Sequence, residues 1–397
     1  MRVLTRLASC AVVLVLVAGC GSAAATPNLG IPTASPSAVA TTGPAATQSP
    51  VASATPIPIG KFVTTGTMTS ERRSDTATLL ADGRVLLVGG QDSNGATLAS
   101  AEIYDPNTGK FTATGSMKTP RWGHTATLLK DGRVLIAGGD NEGNVPLDSS
   151  EIFDPSSGSF SPGGKMPTGR VNHTATLLSD GSVLITGGAN ANGDGLDSAD
   201  LFDPSSNSFT PTGKMTTGRW GQTATLLKDG RVLIAGGNST EELASAEIYD
   251  PGTGVFTATG AMTNARWGQT ATLLPNGQVL MAGGQDADGT PLQTAELFDP
   301  ASGTFGATDS MTASRLGPTA TMLQNGLVLL VGGVDSNGNG IASAELFDPS
   351  DGTFTATGSL NNPRGYQTAT LLANGQVLIA GGADGDTVYD AAELYQP

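Results

Sequence analysis

The chain has 397 residues, of which 14% are charged and 55 are glycine, and its formal net charge is −15. A typical globular domain has roughly 25% charged residues and roughly 7% glycine, so this composition indicates many turns and a β-rich fold. The negative charge argues against binding to nucleic acid, which requires Lys and Arg to neutralise phosphates, and against electrostatic docking on anionic lipid.

The first twenty residues have the pattern of a bacterial secretion signal. MRVLTR supplies two arginines ahead of the apolar run LASCAVVLVLVAG, which is shorter than the about 20 residues of a membrane-spanning helix. The run ends in Val-Ala-Gly-Cys, which resembles the lipobox whose cysteine is lipidated and becomes the new N-terminus. Residues 1–20 are therefore predicted to be a lipoprotein-type signal peptide that ends at the lipidated Cys20, and the lipid is expected to anchor the protein at the outer face of the cytoplasmic membrane. An ordinary signal peptide is the less favoured alternative.

Residues 21–58 consist mainly of Ala, Thr, Ser and Pro and contain no Lys, Arg, Asp or Glu. Such a segment has too little apolar surface to form a core, so we expect a disordered tether before a folded domain at 59–397. The chain has two cysteines, Cys10 inside the signal and Cys20, so the mature protein is expected to contain no disulfide.

The remainder is built from seven copies of one repeat, whose Gly-Gly pairs recur at steps of 49, 49, 49, 47, 49 and 49 residues. Each copy runs from TATLL or TATML through an Asp-Gly or Asn-Gly turn into an apolar strand that ends in Gly-Gly. A variable loop, a third strand such as AEIYDP and a fourth such as FTATGSM follow. Four strands in a radially repeated unit of this length predict an all-β fold, a seven-bladed β-propeller.

The order of Arg, apolar strand, Gly-Gly, Tyr/Phe-Asp-Pro, aromatic residue and Met resembles the kelch repeat over residues 59–397. The resemblance implies a kelch β-propeller of the galactose oxidase-like superfamily, here in the form of a bacterial lipoprotein. Kelch repeats usually have Trp where this chain has Phe111 and its equivalents, which exchanges one large aromatic anchor for another.

The two ends of the folded part complement each other. The last copy stops after its third strand, whereas KFVTTGTM at residues 61–68 is a fourth strand without the preceding three. Pairing them would close the ring and leave no open sheet edge, so we predict that the N-terminal strand completes the seventh blade.

Strand alternation places the loop after Gly-Gly and the segment containing the repeat's arginine at one end of each blade. The loops vary between copies, and function tends to lie on varied loops held by a rigid frame, so this end and the mouth of the central channel form the candidate binding face. Seven arginines meet seven acids here, which predicts a structural ion-pair ring; the less favoured alternative is a basic ring that captures an anion. The positions are Arg72, Arg121, Arg170, Arg219, Arg266, Arg315 and Arg364, with Glu102, Glu151, Asp200, Glu247, Glu296, Glu345 and Glu393.

Three tryptophans share one repeat position near the channel mouth, and a tyrosine lies one residue beyond the equivalent position of the last copy. Aromatic rings there could stack on a sugar or a peptide side chain, or pack between blades, and the sequence leaves both interpretations open. These candidate ligand-binding residues are Trp122, Trp220, Trp267 and Tyr366.

The two histidines, His124 and His173, occupy a position that other copies fill with Asp, Gln or Pro. This favours an ordinary polar position over a two-histidine metal site, because a third ligand is lacking. DSNG and DADG loops echo part of a calcium loop, but turn chemistry explains them better. We therefore expect no metal and no cofactor.

Two functions remain. The favoured one is a monomeric, lipid-anchored, extracytoplasmic module that binds or scaffolds a protein or glycan at the cell surface through its variable-loop face. The alternative is a carbohydrate-active enzyme, epimerase- or oxidase-like, with a site at the channel mouth. No catalytic residue is identified. A copper radical oxidase of the galactose oxidase type is close to excluded, because the chain has no Cys after Cys20 for the Tyr–Cys crosslink.

Overall fold

The computed structural model describes residues 59–397 except 142 and 144. The predicted signal peptide, the lipidation at Cys20 and the tether at 21–58 lie outside the described residues. Within the described part, the regular elements are β-strands. This part contains no helix long and apolar enough to span a membrane.

Seven four-stranded antiparallel sheets form the blades of the propeller, as predicted. The first strand of the described part is β1 (Lys61–Thr67), and blades 1 to 6 follow it in sequence order. Blade 1 contains β2 (Thr76–Leu79), β3 (Val85–Val88), β4 (Ala101–Asp105) and β5 (Lys110–Ala113); blade 2 contains β6 (Thr125–Leu128), β7 (Val134–Ala137), β8 (Ser149–Asp154) and β9 (Ser159–Lys165); blade 3 contains β10 (Thr174–Leu177), β11 (Val183–Thr186), β12 (Ala199–Asp203) and β13 (Ser208–Pro211).

The second half repeats this order and ends in a composite blade 7. Blade 4 contains β14 (Thr223–Leu226), β15 (Val232–Ala235), β16 (Ala246–Asp250) and β17 (Val255–Ala258); blade 5 contains β18 (Thr270–Leu273), β19 (Val279–Ala282), β20 (Ala295–Asp299) and β21 (Thr304–Ala307); blade 6 contains β22 (Thr319–Met322), β23 (Val328–Val331), β24 (Ile341–Asp348) and β25 (Thr353–Arg364); blade 7 contains β26 (Thr368–Leu371), β27 (Val377–Ala380), β30 (Ala391–Gln396) and β1. A small hairpin of β28 (Ala383–Asp384) and β29 (Thr387–Val388) lies in its variable loop.

The hydrophobic core lies between neighbouring blades. The first strands contact one another around a closed circle, so they line the centre of the ring. The second strands are buried along their whole length, which explains why they read as continuous apolar runs rather than alternating ones. Leu86 and Val88 of blade 1, for example, pack in one cluster with Val134, Ile136 and Phe153 of blade 2.

The outer half of each blade is held by an aromatic pair. Tyr104 of β4 contacts Phe111 of β5 with ring centroids 4.8 Å apart, and the rings are tilted by 48°. The other six blades repeat this pair at 4.7–5.0 Å. Phe therefore fills the position that usually carries Trp, and the buried third-strand aromatic ring packs against it.

The predicted closure is confirmed. β1 pairs antiparallel with the C-terminal strand β30, with Lys61 opposite Gln396 and Phe62 opposite Tyr395. The Phe62 and Tyr395 rings lie 5.0 Å apart, as the aromatic pairs of the other blades do. The sheet order of blade 7, β1-β30-β27-β26, therefore joins both ends of the folded part in one sheet and closes the ring without a free edge.

We predict that deletion of residues 59–68 lowers the melting temperature by at least about 5 °C, because blade 7 loses its outer strand and the edge of β30 is exposed. Thermal unfolding followed by circular dichroism measures this. Deletion of residues 49–58, a control of equal length, should leave the melting temperature unchanged. An equal effect of the two deletions would contradict closure by β1.

Candidate functional site

The second glycine of each Gly-Gly pair joins two blades at the loop end. Its N–H donates to the carbonyl oxygen of the repeat's arginine in the next blade, as from Gly90 to Arg121 and, across the closing junction, from Gly382 to Arg72. All seven bonds measure 2.8–3.0 Å. The second glycines have φ of 88–95°, which other residues rarely adopt, and a Cβ on Gly90 would lie 2.6 Å from the carbonyl oxygen of Arg73. Glycine is therefore required at the second position of the Gly-Gly pair, because the backbone there is left-handed and a main-chain oxygen approaches closely.

The side chain of the same arginine holds its own blade together. Arg72 Nη2 contacts Glu102 Oε1 at 2.8 Å, and Nη1 donates to the carbonyl oxygen of Gly89 at 2.8 Å. Glu102 in turn accepts the backbone N–H of Thr69 at 2.7 Å, on the segment that enters the blade. One buried ion pair thus ties together the first strand, the Gly-Gly turn, the third strand and the incoming connection.

The structure brings the predicted arginines and acids together as seven separate pairs, one within each blade. The closest N–O distances are 2.7–3.1 Å, and all seven arginine side chains have 0% exposure. Burial lowers the pKa of Arg121, while its partner Glu151 raises it. Burial likewise raises the pKa of Asp200, against the opposing effect of Arg170. Each of the seven guanidinium groups is thus paired with a carboxylate of its own blade and shielded from solvent.

The buried cluster also contains a hydroxyl group that was not predicted from the sequence. A hydroxyl two residues before the acid accepts a hydrogen bond from the arginine, as Ser245 Oγ does from Arg219 Nη2 at 3.1 Å. Ser or Thr occupies this position in six copies and Ala391 in the seventh, so the pattern Ser/Thr-x-Glu/Asp was the signal available. The contacting residues are Ser100, Ser149, Ser198, Ser245, Thr294 and Ser343.

The histidine position lies directly before the first strand of each blade and faces the preceding blade. His124 Nε2 lies 3.0 Å from Thr76 Oγ1, and His173 Nε2 lies 3.0 Å from Thr125 Oγ1. Burial and the neighbouring Arg121 lower the pKa of His124 to about 3, and burial lowers the pKa of His173 well below its ordinary value. The described residues contain no group of three His, Cys, Asp or Glu that could hold a metal ion.

The three tryptophans are half-buried at the loop end. Trp220 and Trp267 contact each other across a blade junction, with centroids 5.3 Å apart and rings tilted by 57°. Trp122 is bridged through its backbone to Asp140 of the variable loop. The pair at Trp220 and Trp267 therefore packs between blades, which is one of the two roles left open by the sequence, while the exposed part of each ring remains at the candidate face.

Tyr366 occupies a backbone position that is left-handed in all seven copies. Its φ is 57°, where four copies have glycine and the others have Ser74 and Asn172. A bulky residue rarely adopts this conformation, which costs of order 1–3 kcal/mol. Its carbonyl oxygen accepts the N–H of Ser74 in blade 1 at 3.1 Å. The backbone at Tyr366 thus joins blades 7 and 1 at the channel mouth.

The variable loops are ordered by their own aspartates. Asp286 Oδ1 accepts the backbone N–H of Asp288 and of Thr290, and Asp335 Oδ1 accepts those of Asn337 and Asn339. The oxygens that would serve a calcium ion are therefore engaged in turns.

These loops are strongly acidic. Between Gly-Gly and the third strand, the seven copies together contain fourteen Asp or Glu and no Lys or Arg. Two of the acids are paired with exposed lysines of the neighbouring strand, Asp148 with Lys165 and Asp197 with Lys214. Val145, with 55% exposure, projects from the loop of blade 2. The face thus combines negative charge with scattered apolar groups.

The two best-formed depressions of the described residues lie at the other end of the propeller. They measure about 330 and 370 Å³ and lie between the Asp-Gly or Asn-Gly and Asp-Pro turns of blades 4 and 5 and of blades 5 and 6.

Comparisons with known proteins agree with this fold. A family profile described as the KLHDC2/KLHL20/DRC7 Kelch-repeats domain matches residues 59–237. A solved structure of a fungal alcohol oxidase of the AA5 family, in complex with copper, has a TM-score of 0.70 at 19% identity, covering 86% of this chain and 77% of that one. At this identity the likeness shows the fold alone. A search of curated proteins gave no significant match.

We predict that Glu247→Gln lowers the free energy of unfolding by about 3–5 kcal/mol, because it leaves Arg219 buried and charged without a counterion. Urea denaturation measures this. The control is Asp229→Asn in the same blade, which breaks the half-exposed pair with Arg231 and should cost at most about 1 kcal/mol. Equal losses in the two variants would refute the structural role of the buried pair.

Proposed function

We propose, because a kelch-repeat profile matches residues 59–237 and the described residues form a seven-bladed propeller, that this protein is a binding module that recognises a protein partner through its variable-loop face. Propellers of this family commonly serve as protein-binding scaffolds and are generally non-enzymatic. The observation that carries the proposal is the contrast between the two parts of each repeat. The buried arginine–carboxylate pair occurs in all seven blades, whereas the loops after Gly-Gly differ in sequence, are exposed at their tips and contain fourteen acids without a base.

The charge of this face indicates the kind of partner. A surface rich in carboxylates attracts a basic surface, accelerates its approach and disfavours acidic competitors. Val145 and the exposed parts of the tryptophan rings supply the apolar contacts that a stable interface needs at its centre. We therefore propose a partner with a basic docking surface.

A copper site, such as the fungal alcohol oxidase has, does not fit the described residues of this chain. Cys10 and Cys20 are the chain's cysteines, and both lie outside the described part. His124 and His173 each lie within hydrogen-bond distance of a threonine hydroxyl in the preceding blade.

We also propose that the propeller is held at the outer face of the cytoplasmic membrane by lipid on Cys20. The support is the sequence of residues 1–20, with its charged start, short apolar run and Val-Ala-Gly-Cys ending. The uncharged segment at 21–58 would then let the face reach partners in the envelope.

Neutralisation of three exposed loop acids, Glu241→Gln, Asp288→Asn and Asp386→Asn, is expected to weaken binding of a basic envelope partner about tenfold at low salt. The partner is first captured from envelope extract with the intact protein and identified, and its dissociation constant is then measured by calorimetry.

The matched control neutralises three acids at the opposite end, Asp105→Asn, Asp250→Asn and Asp348→Asn, and should change the dissociation constant less than twofold. If the control weakens binding as much as the loop variant does, the proposed face is wrong. Glycan binding on an array that is lost in Trp220→Ala with Trp267→Ala would assign the face to carbohydrate instead.

For the anchor, we predict that cells expressing the chain incorporate radiolabelled fatty acid into it and that Cys20→Ser abolishes the label. Cys10→Ser serves as the control and should keep the label, because that residue lies within the removed signal. Labelling that persists in Cys20→Ser would exclude the lipobox interpretation.

A further inference from the structure

The position directly before each first strand forms a contact between neighbouring blades. At three junctions a glutamine donates from Nε2 to the carbonyl oxygen of the last residue in the second strand of the preceding blade, at 2.8–3.0 Å: Gln222 to Thr186, Gln269 to Ala235 and Gln367 to Val331. At two more junctions His124 and His173 contact a threonine hydroxyl of the preceding blade. Pro318, which has no side-chain donor, occupies the junction between blades 5 and 6.

The junction between blade 7 and blade 1, here called the closing seam, differs from these. Asp75 occupies the position, with 8% exposure, and within the described part of the chain no group of another residue hydrogen-bonds to either of its carboxyl oxygens. The side chain lies against blade 7, since a Cβ on Gly381 would be 3.4 Å from Asp75 Oδ1. An ionised carboxylate is an acceptor only, so it cannot make the donation that glutamine makes at the other junctions.

The surroundings of Asp75 favour its protonated form. Burial raises the pKa of Asp75 to about 7, against the opposing effects of Arg72 and of the aspartate's own backbone N–H, while Glu102 raises it further. The guanidinium of Arg72 is itself paired with Glu102. Among the described residues, the charged groups that act on this carboxyl belong to blade 1; blade 7 presents its main chain at the end of β27.

We propose that the closing seam is a proton-controlled junction: protonated Asp75 donates a hydrogen bond to the main chain of blade 7, and loss of that proton weakens this junction and leaves the other six unchanged. The proton comes from and returns to solvent. The protonated carboxyl then does what glutamine does at three other junctions. The ionised carboxyl is buried without a donor, which is costly.

The direction of the pH dependence follows from linkage. A group whose pKa is higher in the closed state than in the open state favours closure fully below its ordinary carboxyl value of about 4. That contribution is lost as the pH rises through the pKa of about 7. Between these two values, the population of the open seam is expected to grow about tenfold for each pH unit, and it levels off once both states are ionised. The bonds that then open are Gly382 N–H to Arg72 O and Ser74 N–H to Tyr366 O.

Hydrogen–deuterium exchange of the intact protein at about pH 6 and about pH 8.5 tests the proposal, since these values lie on either side of the carboxyl's titration. Rates are divided by the intrinsic exchange rates at each pH. We expect protection of the Gly382 and Ser74 amides to fall about tenfold at the higher pH. Gly237, whose N–H bonds Arg266 O between blades 4 and 5, should keep its protection.

Asp75→Gln supplies the donor found at three other junctions, so its Gly382 protection is expected to be equal at the two pH values. If Asp75→Gln does not fold, Asp75→Asn provides the same test with a side chain of unchanged length. The proposal is overturned if Gly382 protection in the wild type is independent of pH, if Gly237 loses protection to the same extent, or if the variants retain the pH dependence.

Discussion

The propeller depends on one buried arginine in each blade. Its side chain binds the acid of the third strand and the carbonyl oxygen of the Gly-Gly turn, while its backbone carbonyl accepts the N–H of the preceding blade's second glycine. The same residue therefore fixes both the interior of a blade and the junction to its neighbour. A guanidinium suits this role because it stays charged when buried and presents several donors in a plane. The first glycine of each Gly-Gly pair is required by this arrangement, since a Cβ there would collide with the arginine's carbonyl oxygen.

Much of this could be predicted from the sequence because the repeat supplies seven versions of each position. The strands, their turns and the closure by β1 follow from apolar runs, Asp-Gly signals and the missing fourth strand. The sequence also predicted that the arginines and acids lie at the same end of each blade. It did not show that they form separate pairs without solvent contact, because burial depends on how neighbouring blades pack.

Contacts between residues of neighbouring blades could not be predicted from the repeat. Asp75 looked like one polar residue among several, and only the seam with blade 7 shows that its carboxyl lacks a donor. The left-handed backbone of Tyr366 could not be predicted from its own residue type. Glycine at this position in four other copies suggests the conformation, but tyrosine does not. The tryptophans pack partly on each other, which depends on the distance between blades 4 and 5.

The same architecture separates stability from recognition. Constant residues point inward and hold the ring, so the acidic loops after Gly-Gly are free to differ between blades.

The central claim is that these loops form the binding face, and a hydrogen–deuterium exchange footprint of the propeller with its captured partner tests it most directly. The account predicts new protection in the loops that follow Gly-Gly, such as 91–98 and 285–292. Protection confined to the Asp-Gly and Asp-Pro turns at the opposite end would contradict it.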